Sequence, residues 1–402
     1  MLHLSEHPNI ALDKPDMSVS PLDPGRAVSS GEFRIADSDR VADVERKQAL
    51  LAEFLADRKV DAVLLQDPAN FAWFTSGAVC PRTANGSPAA ALFILPQSRV
   101  VIANNVDSGE LFDKELTGLG FLLKERPWHE PRERLLEDLV RGRKVISDHP
   151  APEATVESDT FREMRSILQS VEQQRIAKLA ADVAHVVEAT CRTLSQGETE
   201  AEAVGQIAHR MWKREIEPVS IQVISDGRGK HYRHWRSSSD GISKWAVISA
   251  EGMRHGLHVG CTRTVVFGTV PEPVEKAYKA LMQVHAAAML LTDPGLTIDA
   301  IWMKVRRIYE KAGAADEWEL CDQGGITGFR SIECPLKAGN MSFLSARSAV
   351  HWRPGIGPAR MGDCILVGSD SNRLLTVPTD WPTQHVSVRG TAVSVPSVLV
   401  RD

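Results

Sequence analysis

The stretch VEQQRIAKLAADVAHVVEATCRTLSQGETEAEAV, residues 171–204, decides the architecture of this chain. Ile176, Leu179, Ala180, Val183, Val187, Cys191 and Leu194 recur at spacings of three and four, the period of a helix with one buried face. The spacing predicts a long helix from about 160 to 194, stopped by Gly197. Thr199 followed by Glu202 is a capping-box signal that starts a second helix. This helix sets Val204, Ile207, Ala208 and Met211 on one face. Pro218 closes it, and strand-like segments run on to Phe267.

The same plan recurs downstream. Residues 272–291 read as a helix carrying Val274, Tyr278, Leu281 and Ala288, broken by Pro294 and Gly295. Thr297 caps another helix with Ile298, Ile301, Val305 and Ile308, and strand-like segments follow to about residue 368. Two successive units of two helices and then strands predict an internally duplicated α+β domain, from pattern alone.

Upstream, strands alternate with helices. A helix over 44–58 precedes the strand DAVLLQ (61–66) and a short helix PANFAWF (68–74) with Pro68 in its first turn. Strands at 90–96, 99–105, 120–125 and 144–147 follow, with helices near 107–116 and 131–140 between them. This is a small α/β domain. The expected organisation is an irregular arm over 1–40, an α/β domain over 41–152 and the duplicated α+β domain over 153–402.

Composition bounds the function. The 402 residues include 47 basic and 52 acidic side chains, a net charge of −5, with 43% hydrophobic and 25% charged residues. These values exclude disordered, collagen-like and disulfide-scaffold classes. No run approaches the roughly 18 apolar residues of a membrane helix. The start, MLHLSEHPNIALDKPD, shows no basic and then apolar leader. The six cysteines are scattered without a CxxC pair and read as free thiols of a reducing compartment. A cytoplasmic protein is expected, with no membrane and no nucleic-acid partner.

The ordered motifs resemble the creatinase/aminopeptidase P/methionine aminopeptidase superfamily. Residues 171–204 resemble its opening helix pair, and AVISAEGMRHGLHVGCTRTVVFG (246–268) its central hairpin. DQGGITGFRSIECP (322–335) is similar to its glycine-rich strand, and HWRPGIGPARMGDCILVG (351–368) to its closing Pro-Gly turn and strand. Residues 41–150 resemble the N-terminal domain of creatinase and aminopeptidase P. The resemblance implies the pita-bread fold behind a creatinase-type α/β domain.

In the peptidases of that superfamily two Asp, one His and two Glu hold two divalent ions that activate a water. Those positions fall here at Ser249 or Ala250, at Gly260, within Gln323–Gly325, at Arg353 and at Gly362. Arg353 is the sharpest departure, since a guanidinium is a permanent cation with donors only. No metal ligands and no cofactor are therefore expected. Creatinase keeps the fold and works without metal, through a His on the loop before the hairpin. The equivalent stretch GRGKHYRHWR (227–236) offers His234, with His231 as neighbour, as acid/base. Glu333 is the candidate pocket carboxylate. Arg353 and Arg360 are candidates to hold a substrate carboxylate, and Trp235 and Trp352 to line a cation-accepting wall. A surface basic loop and ordinary core packing are the competing readings of these histidines and tryptophans. His255 and His258 with Cys261 could suggest a metal site, but a spacing of three on a strand sets two side chains on opposite faces.

The expected function is a metal-independent hydrolase of a C–N bond in a small amide or guanidino compound. The alternative is a non-catalytic descendant that binds a small molecule, peptide or protein. Metal-dependent Xaa-Pro aminopeptidase activity ranks behind both. The resemblance also implies a homodimer in which CPRTAN (80–85), through Arg82, reaches the partner's site.

Overall fold

The computed structural model describes residues 37–83, 86–230 and 236–402. The first helix, Ser38–Arg58, starts three residues inside the expected arm, capped by the Asp37 side chain accepting the Asp39 N–H at 3.0 Å. The rest of the arm lies outside the described residues.

Six strands follow: β1 Ala62–Leu65, β2 Ala91–Leu95, β3 Ser98–Asn104, β4 Leu122–Arg126, β5 Val145–Ser147 and β6 Ala154–Val156. They form one sheet in the order β4-β3-β2-β1-β5-β6, in which β2 runs against both neighbours and all other pairs are parallel. Side chains alternate across it. Val63 and Leu65 join the main core with Val44, Leu51 and Leu55, while Ala62 and Leu64 meet Leu135, Leu136 and Val140 on the other face. Both faces are covered, which is why β1 reads as an unbroken apolar run. β6 carries this sheet four residues beyond the expected boundary at 152. The predicted helix near 107–116 is a single α-turn, Ser108–Glu110, continued as a π-turn, Leu111–Glu115.

The predicted helix over 160–194 is two helices, Ser158–Arg165 and Ser170–Thr193. The break is set by tertiary partners. The Leu168 N–H leaves the helical ladder for the Arg347 carbonyl at 3.1 Å, and the Glu172 carboxylate takes the Gln169 N–H at 2.7 Å to start the next helix. Because Leu168 is itself buried, the apolar pattern runs through the break without a signal.

Thr199 and Glu202 do form the capping box of Glu200–Trp212. Its buried face is Ala203, Ile207 and Met211, a slight rotation from the one expected. These two helices pack on the antiparallel strands β7 Glu217–Ser225, β8 Trp245–Arg254 and β9 Leu257–Phe267.

The second half repeats the design with helices Glu272–Leu290 and Ile298–Lys311. They pack beside β10 Gly324–Thr327, β11 Cys334–Pro335, β12 Ala349–Trp352, a hairpin of β13 Gly355–Ile356 with β14 Ala359–Arg360, then β15 Asp363–Leu366 and β16 Arg373–Leu374. A last hairpin, β17 Thr383–Val388 with β18 Thr391–Pro396, leads to β19 Leu399–Arg401, which returns parallel to β9. The duplication shows in a shared detail. Each capping threonine forms an isolated antiparallel bridge to a later segment, Thr199 to Gly241 and Thr297 to Phe343.

The halves are joined by a buried ion network. Arg263 donates to Glu188 at 3.1 Å and to Asp363 at 2.9 Å, while Asp363 also accepts from Thr376 at 2.7 Å and lies 2.8 Å from His285 Nε2. Burial alone would raise the Asp363 carboxyl. The Arg263 charge and these hydrogen bonds outweigh it and hold the group below its usual range. None of the six cysteines is in a disulfide. Among the described residues no helix is long and apolar enough to cross a membrane.

Candidate functional site

The β8–β9 hairpin carries the site. The two-residue period of a strand puts Ser249, Glu251 and Met253 on one face, opposite Thr262, Gly260 and His258 respectively. β12 brings His351 to the same place, with Arg353 just past its end and Arg360 on β14. Ser249, Glu251, Thr262, His351, Arg353 and Arg360 line a cavity of about 310 Å3. Val219 and Ser331 line both this cavity and a larger one of about 930 Å3 that opens towards the α/β domain.

Three glycines in or beside this wall are locked by their neighbours. A Cβ added at Gly260 would overlap His351 Cε1 and lie 2.8 and 2.9 Å from its two ring nitrogens. One at Gly325 would lie 2.7 Å from both the Cys334 carbonyl oxygen and Ile332 Cγ2, and one at Gly362 would lie 2.6 Å from Thr262 Oγ1. These separations are well inside the ~3.5 Å of favourable carbon contact. The His351 ring therefore fills the volume into which any side chain at 260 would project.

His351 is 4% exposed, and its Nε2 has no hydrogen-bond partner among the described residues. Burial, helped by the nearby Arg353 charge, pushes its imidazole down to about 4, so it is neutral at neutral pH. Glu251 is nearly as buried. It accepts the Ser331 hydroxyl at 2.8 Å on Oε2 and lies 3.2 Å from His258 Nδ1 through Oε1. Burial would raise its carboxyl, but the bonds from His258 and Ser331 prevail and hold it below the usual range. Thr262 Oγ1 donates to Ser249 Oγ at 2.9 Å.

Of the residues singled out from sequence, Arg353 and Arg360 face this cavity. Arg353 Nη2 donates to Asp322 at 2.5 Å, and its buried Nε has no hydrogen-bond partner among the described residues. Arg360 packs over Gly355 and donates to the Ala359 carbonyl at 2.8 Å. Glu333 is a correction. Its carboxylate is clasped by Arg165 through bonds of 2.9, 3.0 and 2.6 Å, and Arg165 also reaches Asn70 at 2.6 Å. It is held by Arg165 and lines neither cavity. Trp352 is a second correction. Alternation on β12 turns it into the core, fully buried, with its indole N–H donating to Thr292 Oγ1 at 3.0 Å. Arg82 sits on the wall of the larger cavity and donates to the Gly86 carbonyl at 3.0 Å. His231, His234 and Trp235 lie outside the described residues.

The residues that sequence reasoning missed are Glu251, His351 and Ser331, together with His258 in its pairing with Glu251. Alternation from Ser249 could have flagged Glu251 as sharing its face. His351 is legible only once β12 is known to cross Gly260. His255 does not converge with His258: it occupies the hairpin turn with φ +54°. Among the described residues no group of three or more His, Cys, Asp or Glu side chains is arranged to hold a metal ion.

Comparison with known proteins agrees with this geometry. Residues 173–333 match the model of metallopeptidase family M24. The probable dipeptidase PepE of Mycobacterium bovis is 25% identical over 221 residues, covering 53% of this chain and 59% of its own. The chain thus spans about three fifths of the length of that relative. The solved Xaa-Pro dipeptidase of Bacillus anthracis superposes with a TM-score of 0.71 at 16% identity, over 89% of this chain and all of that one. The N-terminal domain of FACT complex subunit SPT16 from chickpea shares the fold at a TM-score of 0.65 and 13% identity, over 84% of this chain and 96% of its own. With the duplicated helix–helix–sheet units, the hairpin ending in Thr-Arg-Thr and the smaller α/β sheet in front, the chain has the pita-bread fold of these solved structures, and the match over 173–333 supports its resemblance to the creatinase/aminopeptidase P superfamily.

Proposed function

We propose that this chain hydrolyses a C–N bond in a small amide or guanidino compound bearing a carboxylate, and does so without a dinuclear metal centre. The observation that carries this reading is the Gly260–His351 fit. The family's second Asp position holds a glycine, and a neutral histidine fills the space beside it. Arg353 sets a permanent positive charge where the family uses a carboxylate, and Ser249 and Gly362 offer no carboxylate. The residues present do not fit a pair of divalent cations, so no step is routed through metal.

What remains suits a small anionic substrate. Arg353 and Arg360 face one cavity and can hold a carboxylate through paired N–H donors. The Glu251–His258–Ser331 group at its edge can move a proton. A relative is named as a probable dipeptidase, which is consistent with cleavage of an amide bond. The six free thiols fit a reducing, cytoplasmic setting. A homodimer, with the segment around Arg82 reaching the partner's site, belongs to the same reading and is checked by solution mass.

The test is turnover of a panel of dipeptides, N-acyl amino acids and guanidino acids, with metal analysis of the same preparation. Hydrolysis unaffected by chelators, at a metal content well below one ion per chain, is the expected result. Hydrolysis abolished by chelators and restored by a divalent ion would refute it. The second reading, a binding protein with no reaction, is favoured by the full packing of three ligand positions. Ligand-induced thermal stabilisation without turnover of any of the three classes would establish that reading instead.

A further inference from the structure

We infer that His258, aimed by Glu251, is the acid–base residue of this site, and that the substrate is an N-acyl amino acid whose acyl half occupies the larger cavity. This inference rests on the hydrolase reading above and names its catalytic residue and substrate class.

The placement of His258 carries the first part. Its backbone is fixed on both sides, the N–H donating to the Gly328 carbonyl at 2.8 Å and the carbonyl accepting Thr327 Oγ1 at 3.1 Å. Its Nδ1 meets the buried Glu251 carboxylate at 3.2 Å. That carboxylate selects the tautomer with the proton on Nδ1 and leaves Nε2 as the proton acceptor. The ring lines the 930 Å3 cavity, whereas Glu251 lines the 310 Å3 cavity, so the pair stands at the seam between the two. Ser331, on the wall of both, holds the other oxygen of Glu251. A buried acid that orients a largely buried imidazole towards a cavity is the arrangement general base catalysis needs.

The two cavities divide a substrate into unlike halves. The smaller presents Arg353 and Arg360, which suit a carboxylate. The larger has an apolar wall of Pro68, Ala72, Met253, Phe329 and Ile332 that suits a hydrocarbon or aryl group, with Asp67, Arg82, Glu217 and Arg330 elsewhere on its lining. A free α-amino group would need a buried acceptor there. Asp67 is already used, by the Ala69 N–H at 3.0 Å and by Arg330 at 2.5 Å, and Glu217 is exposed at the rim. An unpaired ammonium is expensive to desolvate, whereas an acyl chain is not. An amide joining the two halves lies at the seam.

The reaction balances with water as the only co-reactant. His258 Nε2 takes a proton from water as its oxygen bonds to the amide carbon. The C–N bond then breaks as the same proton passes to the leaving nitrogen. The products are a carboxylic acid and an amino acid.

The experiment measures kcat and KM for N-acetyl-leucine, N-hexanoyl-leucine and the dipeptide Leu-Leu. The wild type, His258→Gln, Glu251→Gln, Glu251→Asp and His234→Ala are compared, with folding checked by circular dichroism. Acyl substrates are expected to exceed Leu-Leu in kcat/KM by at least about tenfold. His258→Gln is expected to lower kcat about 10²–10⁴-fold with little change in KM. Glu251 acts as a positioning residue. Its Gln variant, which keeps both hydrogen bonds, is expected to lower kcat alone, and the Asp variant to restore part of it. Full kcat in a folded His258→Gln protein would overturn the inference and leave the hydrolase reading standing. Loss of kcat in His234→Ala but not His258→Gln would do the same. Preference for Leu-Leu would overturn the substrate class. Absence of turnover on every amide, with binding intact, would overturn the hydrolase reading and this inference with it.

Discussion

Substituting alanine at Gly260 tests whether His351 really occupies the space of that side chain. The added methyl would overlap His351 Cε1 and lie 2.8 and 2.9 Å from the ring nitrogens, so the imidazole must move. The ring is buried and wedged between β12 and the hairpin, so it has little room to yield. Overpacking of this kind costs about 1–3 kcal/mol. Replacing a strand glycine returns about 0.5–1 kcal/mol through lower chain entropy. The net expected destabilisation is about 1–2 kcal/mol. His351→Ala alone opens a void, but it also removes a buried nitrogen with no partner, so its effect is intermediate. In the double variant the methyl at 260 enters the vacated volume. The two changes should then be coupled by about 1 kcal/mol or more in the favourable direction. Urea denaturation of the four proteins, followed by circular dichroism, measures the cycle. Additive effects, within about 0.5 kcal/mol, would show that His351 and position 260 do not compete for space and would remove the main support for the proposed site.

Other consequences are open to direct measurement. Glu333→Gln strips the charge from a buried partner of Arg165 and should lower stability by about 3 kcal/mol in thermal or urea unfolding, because the buried guanidinium then keeps only its longer contact with Asp67 at 3.9 Å. Thr199→Ala removes the cap of Glu200–Trp212, and a loss of about 1 kcal/mol is expected in the same assay. The pH dependence has a definite sign. His351 is pushed down to about 4 when folded, against an ordinary value near 6.5, so between these values the unfolded chain binds a proton that the folded chain refuses. Stability from this group is complete above about pH 6.5 and is lost as pH falls towards 4, by up to about 3 kcal/mol. His351→Gln should flatten that slope; an unchanged slope would assign the acid sensitivity elsewhere. Asp363 is held low instead, so its contribution persists through that window and is lost only at more acid pH.

Local signals carried most of the fold. The capping boxes, the Pro and Gly breaks and the apolar periods placed the helices of both halves to within a few residues, because those elements are stabilised where their own residues sit. The errors fall where a partner distant in sequence decides. The helix over 158–193 breaks because the Leu168 N–H goes to Arg347, about 180 residues away. Glu333 looked like a pocket acid because Arg165 is invisible to it in sequence. Trp352 looked like a pocket wall because the alternation of β12 was not tied to a face. The arginines could be placed since a departure at a known motif position is itself local.

The same logic explains how the site can differ from its relatives without loss of fold. Arg263, Asp363, Glu188 and His285 bind the two halves behind the cavity, fully buried, and none of them lines it. The framework that shapes the pocket is therefore built from side chains other than those that fill it. Glycine at 260 and histidine at 351 form a compensating pair, while Gly362 lies against Thr262 of the family-like Thr-Arg-Thr ending. Reinstating an acidic side chain at 260 alone would drive it into the His351 ring rather than recreate a carboxylate cage. A change back to family-like chemistry would have to replace Gly260 together with His351, and Arg353 besides, so the present packing holds the site in its own state.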